Sequence, residues 1–345
     1  MRNEVGRIRC SNIELLRIIS MILVMIVHAC FLALDYPTKD TLYTNPYSSI
    51  MKCFCESFSI VCVNSFVLIS GWFGIRPRFF RLLELMFQVV FFCGLIQVLF
   101  VCLKIPMQES FSSYWKLVLF SDEYWFVRAY VVLWLFSPLL NAFSEHSDRR
   151  SMWRFLVAFF VVQALVGHKV GWFARGYSPL SFMGLYLLAR YLNLYPSRIC
   201  NLKRMTYLLL YFFLVFFTTI CALIVIYSGV VDLNTLYAYS SPLVITSSVF
   251  FFLFFTKLSF SNRVINDIAI SSFSIYLLHC NPLFFEPVYL TWIRECASYD
   301  YFIFLGYILG IILLIFVLSI VLDKFRLFFW NILSVYCFKK VDVVR

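Results

Sequence analysis

Charged residues are scarce in this sequence. Only 14% of its 345 residues are Asp, Glu, Lys or Arg, whereas 62% are hydrophobic. A soluble globular domain is typically about one quarter charged and about half apolar. A fold of this size cannot bury so much apolar surface in a core of its own, because surface area limits what it encloses. The composition therefore excludes a water-soluble domain and predicts that lipid surrounds much of the chain.

Metal-binding and nucleic-acid-binding patterns are also missing. The 12 cysteines lie mostly inside apolar segments. Cys53 and Cys55, with one residue between them, have no second pair at zinc-ligand spacing. We therefore interpret the cysteines as small hydrophobic residues and expect no metal. The net charge of +11 comes from small basic groups between apolar runs, not from one basic stripe. We expect no nucleic-acid partner.

Apolar segments long enough to cross a membrane recur along the chain. Because the runs are continuous rather than alternating, and open strand edges are not tolerated in lipid, helices are favoured over a barrel. At about 20 residues per span, we predict an all-α integral membrane protein with about ten transmembrane helices: 12–34, 50–74, 79–103, 123–143, 153–170, 178–194, 205–229, 237–258, 265–290 and 299–322. We also predict an amphipathic helix over 325–337, on the inner surface.

The distribution of basic residues predicts the orientation. With the N-terminus inside, 19 of the 29 Lys and Arg residues fall on the cytoplasmic side, seven outside and three within helices. This asymmetry supports ten spans with both termini in the cytoplasm. We expect a multi-pass protein of the inner (plasma) membrane. The predicted organisation is a cytoplasmic segment (1–11), a membrane domain (12–322) and a basic cytoplasmic tail (323–345). The longest connections, 35–49 and 104–122, are expected to form small caps at most.

Ionisable residues inside a span are the most informative, because they are costly in lipid and usually face a cavity or a partner. The first predicted helix carries Glu14, Arg17 and His28. Residues eleven apart return to within about 20° of the same helical face and lie about 16 Å apart along the axis. Arg17, near the cytoplasmic end, suits a phosphate-bearing donor, and His28, in the outer half, suits proton abstraction from a hydroxyl. Alternatively, Arg17 reaches the inner interface beside Glu14 and His28 makes a polar packing contact.

Four motifs in this order give the chain a family resemblance. They are Arg17-x10-His28 after Asn12–Leu16, Ser65–Trp72 with its Ser-Gly-aromatic end, Tyr124–Tyr130, and Ser272–His279. Together they resemble the membrane acyltransferase-3 family, and they extend over most of the chain. The late histidine departs from the family pattern, since Cys280 and Asn281 separate it from Pro282.

The resemblance implies an O-acyltransferase that uses cytoplasmic acyl-CoA, most often acetyl-CoA, as donor substrate. The implied acceptor is a carbohydrate at or beyond the outer face, either a polysaccharide or a lipid-linked precursor. His28 matches the histidine needed for transfer, and Arg17 matches the arginine associated with it. The remaining predicted binding residues are Glu14, Ser70, Tyr124, Trp125, Arg128 and His279.

Several of these residues have a structural interpretation that the sequence leaves open. Arg128 either binds a substrate or pairs with a neighbouring acid at the interface. Ser70-Gly71 is interpreted as a close helix contact rather than a nucleophile. His279 either shares a cavity with His28 or makes a structural hydrogen bond. Arg190 is interpreted as an interfacial anchor, with binding of a CoA phosphate as the alternative.

A transporter or flippase of a lipid-linked sugar is the competing hypothesis. It shares the multi-pass architecture and the polar residues inside spans. The sequence lacks paired helices broken by Gly and Pro and a cluster of carboxylates for ion coupling, both of which transporters use. Consumption of acetyl-CoA separates the two hypotheses.

Overall fold

The fold is helical, as predicted. A computed structural model describes residues 10–105, 122–167, 169, 171–229, 232–297 and 301–338. Within these ranges every regular element is a helix. The chain divides into two compact units: the first comprises Met1–Arg76 and Phe126–Ala269, and the second comprises Pro77–Trp125 and Ile270–Arg345.

The first unit is built around the N-terminal helix. Its α-helices are α1 (Ser11–Val27), α2 (Lys39–Thr44), α3 (Pro46–Ser59), α4 (Cys62–Phe73), α6 (Trp125–His146, of which Trp125 belongs to the second unit), α7 (Arg149–Val166), α8 (Pro179–Leu194), α9 (Arg204–Ser228), α10 (Leu233–Leu236), α11 (Pro242–Thr256) and α12 (Arg263–Ile270, of which Ile270 belongs to the second unit). Helix α1 packs against α3, α4 and α11, and α4 packs closely against α8.

The second unit contains α5 (Phe79–Cys102), α13 (Ser272–His279), α14 (Thr291–Cys296) and α15 (Tyr301–Phe338). Helix α13 packs against both α5 and α15. The predicted cap over 104–122 falls mainly on residues 106–121, outside the described ranges.

Six helices are long and apolar enough to cross a membrane: Ser11–Ala33, Pro46–Phe73, Phe79–Cys102, Asp122–His146, Arg204–Ser228 and Ile303–Tyr336. They coincide with six of the ten predicted segments. Helix α9 has one buried face and one exposed apolar face. One stripe (Tyr207, Tyr211, Val215) is buried, while Leu209 and Phe213 on another face are more than 60% exposed. An apolar face of this kind requires lipid as its solvent.

The other four predicted segments are shorter or interrupted. Helices α8 and α11 have 16 and 15 residues, about 24 Å at most, against a hydrocarbon core of about 30 Å. Helix α7 begins with the charged residues Arg149, Arg150 and Arg154. The segment 265–290 is broken after α12 and again after α13, where Pro282 lacks the N–H that would continue a helix. Whether these four segments cross the membrane stays a prediction.

The last helix is longer than predicted. Helix α15 runs without a break from Tyr301 to Phe338, so the separate amphipathic helix predicted over 325–337 is wrong. Asp323 and Arg326, which were assigned to the basic cytoplasmic tail, are both buried. Arg326 donates from Nε to Oδ1 and from Nη2 to Oδ2 of Asp323, at 2.9 Å each. These two hydrogen bonds offset part of the cost of burying both charges inside the helix.

Candidate functional site

Helix α1 is fixed at its N-terminal end by two polar side chains. Asn12 Nδ2 donates a hydrogen bond of 2.9 Å to the carbonyl of Phe255 at the end of α11. Ser11 Oγ accepts from the backbone N–H of Asn262 at 2.9 Å. These bonds place the first turn of α1 in a defined register, and Glu14 and Arg17 follow within the next two turns.

Glu14 and Arg17 form the ion pair that their i,i+3 spacing suggests. Glu14 Oε2 lies 3.8 Å from Arg17 Nε, and the two side chains are 11% and 41% exposed, respectively. At this distance the contact is electrostatic rather than a hydrogen bond. Among the described residues it is the one polar contact of the Arg17 side chain. The N–H donors of the guanidinium, which form a planar fork, can therefore still bind two phosphate oxygens at once.

The helix changes its geometry at His28. Residues His28–Ala33 continue α1 as a π-helical turn, and the His28 side chain is partly exposed. A π-helix has i→i+5 hydrogen bonds and is rare, and such turns occur frequently at functional sites. The sequence analysis placed His28 on a regular helix and missed this widening. The residues His28–Ala33 include neither Pro nor Gly, so the sequence shows no sign that the helix changes its geometry here.

The Ser70-Gly71 motif on α4 serves helix packing. Ser70 Oγ donates to the carbonyl of Phe66 at 2.9 Å, so its proton is engaged within its own helix. A Cβ on Gly71 would lie 2.4 Å from the carbonyl oxygen of Tyr186 and 2.8 Å from Cβ of Ala189. Helices α4 and α8 approach this closely only because residue 71 has no side chain. This agrees with the structural interpretation of the motif.

A set of polar side chains that the sequence analysis missed holds the segment after α4. Asn141 Nδ2 donates to the carbonyl of Ile75 at 2.8 Å, and the N–H of Ile75 donates to Tyr186 Oη at 2.9 Å. Arg190 donates to Ser144 Oγ at 3.3 Å and pairs with Glu145 at 3.4 Å. The Arg190 side chain is 11% exposed and that of Glu145 is 59% exposed; the interfacial anchor predicted for Arg190 stays a prediction. The i,i+3 and i,i+4 spacing of polar residues on α6 and α8 was the sequence signal that could have predicted these contacts, because residues so spaced lie on one helical face.

In the second unit, the motif that begins at Tyr124 contacts the late motif. Tyr124 is 1% exposed, and its hydroxyl donates to the carbonyl of Leu277 at 2.7 Å. Asn281 Nδ2 donates to the same hydroxyl at 3.2 Å, and Tyr276 donates to the carbonyl of Glu123 at 2.5 Å. Tyr124 therefore ties α13 to the segment before α6. Trp125, the next residue, is partly exposed.

His279 is fully buried at the end of α13. Its Nδ1 lies 2.5 Å from the carbonyl oxygen of Ile275, and a carbonyl can only accept, so Nδ1 carries the hydrogen. Nε2 then bears the lone pair, 3.3 Å from Sγ of Cys280. The structural hydrogen bond that the sequence analysis considered is present. A cavity shared with His28 concerns both units and stays a prediction.

Arg128 lies in the first turn of α6 and is partly exposed. It belongs to the first unit, whereas Asp122 and Glu123 belong to the second. Its pairing with either acid therefore stays a prediction, as does its role in binding a substrate.

Residues 11–337 match the acyltransferase domain of a known family and include all four motifs. The chain belongs to the membrane acyltransferase-3 family. The match extends from the first turn of α1 almost to the end of α15, so both units belong to one acyltransferase. No curated protein and no solved structure matches this acyltransferase. The roles of Arg17, His28 and the predicted binding residues stay predictions.

Proposed function

We propose that this acyltransferase transfers an acetyl group from cytoplasmic acetyl-CoA to a hydroxyl of a surface polysaccharide or of its lipid-linked precursor. The observation that carries the proposal is the arrangement of Arg17 and His28 on one continuous helix. The ion-paired Arg17 lies near one end, and His28 lies where the helix widens. Their separation of about 16 Å along the axis suits a donor and an acceptor that arrive from opposite sides of the membrane.

Arg17 is proposed to bind the donor. The phosphates of CoA require paired N–H donors, and a guanidinium offers them in a planar fork. The side chain is 41% exposed, which leaves room for a ligand. Glu14, at 3.8 Å, is proposed to orient the guanidinium, so that the pantetheine arm extends from Arg17 toward His28.

His28 is proposed to act on the acceptor. As general base, its imidazole takes the proton of the hydroxyl while the oxygen forms a bond to the thioester carbonyl carbon. The C–S bond then breaks, and the imidazolium returns the proton to the sulfur of CoA. In the second form of the reaction, His28 itself attacks the thioester and carries the acetyl group to the hydroxyl. Exchange of labelled CoA into acetyl-CoA without an acceptor occurs only in the second form.

In the membrane, the proposal places ten spans in the inner (plasma) membrane, with both termini in the cytoplasm. The six helices that are long enough to cross and the excess of Lys and Arg on the cytoplasmic side support this topology. The acceptor then meets the protein from the outer face, in the half of α1 that carries His28.

The deciding experiment measures transfer of radiolabel from acetyl-CoA into envelope glycans of a glycan-producing host. It compares wild type, His28→Ala, Arg17→Ala and the control His146→Ala at matched membrane levels. His146 is an exposed histidine at the end of α6, so its loss is expected to leave transfer unchanged. We expect label with wild type and the control and none with His28→Ala. No label with wild type would reject the proposal and favour transport of a lipid-linked sugar.

A further inference from the structure

The π-helical turn that carries His28 ends in a strained segment of the first unit. The turn comprises His28–Ala33, Leu34 follows it, and Asp35 has φ = +60°. This φ lies in the left-handed region, which residues other than glycine adopt at a cost in free energy. Such a conformation persists where contacts from the surrounding structure hold it.

Lys52 on α3 supplies a contact of this kind. Its ammonium group donates to the carbonyl oxygen of Leu34 and, at 3.4 Å, to that of Asp35. The last carbonyls of a helix lack partners within the helix, and lysine side chains can bind them. The positive charge also lies at the negative end of the helix dipole. Lys52 therefore closes the C-terminal end of the helix that carries His28.

Aromatic rings hold the same turn from the side. The ring of Phe31, which is 3% exposed, lies 4.4 Å from the ring of Tyr36 and 5.3 Å from that of Tyr237, between centroids. These distances are typical of contacting aromatic pairs. The Tyr36 hydroxyl donates to Asn234 Oδ1 at 2.7 Å. The end of the turn is therefore attached at defined points.

Helix α3 reaches the turn by a second route, through Tyr237. The Tyr237 hydroxyl donates to the carbonyl of Cys53 at 3.0 Å and lies 3.0 Å from Ser57 Oγ. Cys53 is the residue after Lys52, so one segment of α3 contacts the turn directly and also supports the ring that packs on Phe31. Of these two routes, the one through Lys52 acts on the backbone.

We propose that Lys52 is a positioning residue for His28. The proposal rests on the role of His28 in the proposed function. Each π-helical hydrogen bond joins residues five apart, so this turn connects His28 to Ala33, the residue before Leu34. A backbone held at Leu34 and Asp35 therefore keeps the imidazole in one direction. Misplacement of a catalytic group by about 1 Å can cost about a hundredfold in rate.

The position of Lys52 predicts which kinetic constant it affects. It acts on the end of the helix that carries His28, whereas Arg17 lies about 16 Å from His28 along the axis and pairs with Glu14. Loss of Lys52 should therefore lower kcat and leave the KM for acetyl-CoA nearly unchanged. A purely structural role would instead lower the amount of folded protein without changing the kcat of what remains.

The first test measures the kinetics of label transfer from acetyl-CoA into envelope glycans at matched amounts of folded full-length protein. Lys52→Met removes the ammonium group and keeps an unbranched apolar side chain, and Lys52→Arg keeps the charge and the donors. The control is Lys39→Met, because Lys39 is an exposed lysine on α2. We expect Lys52→Met to lower kcat by about tenfold or more. Lys52→Arg should recover most of this loss, and the control should behave like wild type.

The second test reads the contact without the reaction, by hydrogen–deuterium exchange of the same variants in detergent. Amides of residues 28–36 should exchange faster in Lys52→Met than in wild type and in Lys39→Met, because the end of the turn loses its partner. Amides of residues 12–24, in the regular part of α1, should exchange as in wild type.

Three outcomes would overturn the proposal: a wild-type kcat for Lys52→Met, equal exchange over residues 28–36, or a tenfold rise in the KM for acetyl-CoA, which would place Lys52 at the donor. If Lys52→Met does not fold, Lys52→Gln decides in the same assays, because it keeps a donor without the charge and should also lower kcat. Failure of the proposed function looks different. Wild type itself would then transfer no label, while exchange over residues 28–36 would still depend on Lys52.

Discussion

The hydroxyl of Tyr186 donates a hydrogen bond of 2.6 Å to Oδ1 of Asn141. Together the two side chains hold both backbone groups of Ile75, whose N–H donates to the tyrosine and whose carbonyl accepts from the asparagine. Gly74, just before it, has φ = +71°, a conformation that glycine adopts without strain. The segment that follows α4 is thus fixed by α6 and α8.

Removing the Tyr186 hydroxyl is expected to destabilise the first unit. Tyr186→Phe leaves a part-buried oxygen of Asn141 and the N–H of Ile75 without their partner, at a cost of about 1–3 kcal/mol. The free energy of unfolding, measured by denaturant titration in detergent, checks this value. Tyr336→Phe is the matched control, because Tyr336 is 76% exposed. Equal stability of the two variants would show that the network around Ile75 contributes nothing.

Gly71→Ala is expected to force α4 and α8 apart. The added methyl would lie 2.4 Å from the Tyr186 carbonyl oxygen, and overpacking of this kind costs about 1–3 kcal/mol. Gly94→Ala on α5 is the control, since a Cβ there meets nothing within 4 Å. Alanine is the better helix former, so the control should be neutral or more stable. A Gly71→Ala variant as stable as its control would refute the close contact.

Arg17→Lys is expected to raise the KM for acetyl-CoA at least tenfold while kcat changes less. Lysine keeps the charge but loses the planar pair of donors that binds phosphate. Steady-state kinetics in detergent micelles, with Glu14→Gln measured alongside, test the assignment. Because Glu14 contacts Arg17 at 3.8 Å without a hydrogen bond, its effect should be smaller. If Arg17→Lys behaves like wild type, Arg17 does not bind the donor through its fork.

Arg326→Met is expected to cost about 3–5 kcal/mol of unfolding free energy, because it leaves the buried Asp323 carboxylate without its cation. Gln88 Nε2 still donates to Asp323 at 3.0 Å, but an amide does not neutralise the charge. The double variant Arg326→Met/Asp323→Leu should recover much of the loss. A single variant no less stable than the double variant would show that the pair is not buried in the folded protein.

Asp148 predicts a pH dependence of stability. Hydrogen bonds from the Ser151 side chain and from backbone N–H groups at the start of α7 hold the pKa of this carboxyl below 3.8. A lowered folded-state pKa means that the stabilisation is present above pH 3.8 and is lost as the pH falls through the folded-state pKa. Thermal unfolding of wild type and Asp148→Asn from pH 2 to pH 7 checks this. Their difference should shrink at low pH, and a constant difference would contradict the assignment.

Local sequence patterns predicted much of the fold. Six long apolar runs became helices of spanning length, and the glycine of Ser70-Gly71 marked a close helix contact. Both follow from properties of single segments, namely their length, their apolar content and the absence of a Cβ. The four family motifs likewise lie within residues 11–337, the range that matches the acyltransferase domain.

Features that depend on distant partners were missed. Asp323 and Arg326 were assigned to the basic cytoplasmic tail, yet they pair with each other, and Asp323 also accepts a hydrogen bond from Gln88 on another helix. The widening of α1 at His28 was likewise not predicted. Lys52 was overlooked because a single lysine at the end of an apolar segment has no pattern, and its contact with the end of the π-helical turn is a tertiary property.

The length of α15 has a consequence for how the protein meets the bilayer. Its 38 residues extend about 57 Å at 1.5 Å per residue. Even at a tilt of about 40°, the upper end of the usual range, such a helix spans about 44 Å along the membrane normal. The hydrocarbon core is about 30 Å thick, so α15 is longer than a crossing of that core requires, even at the largest usual tilt.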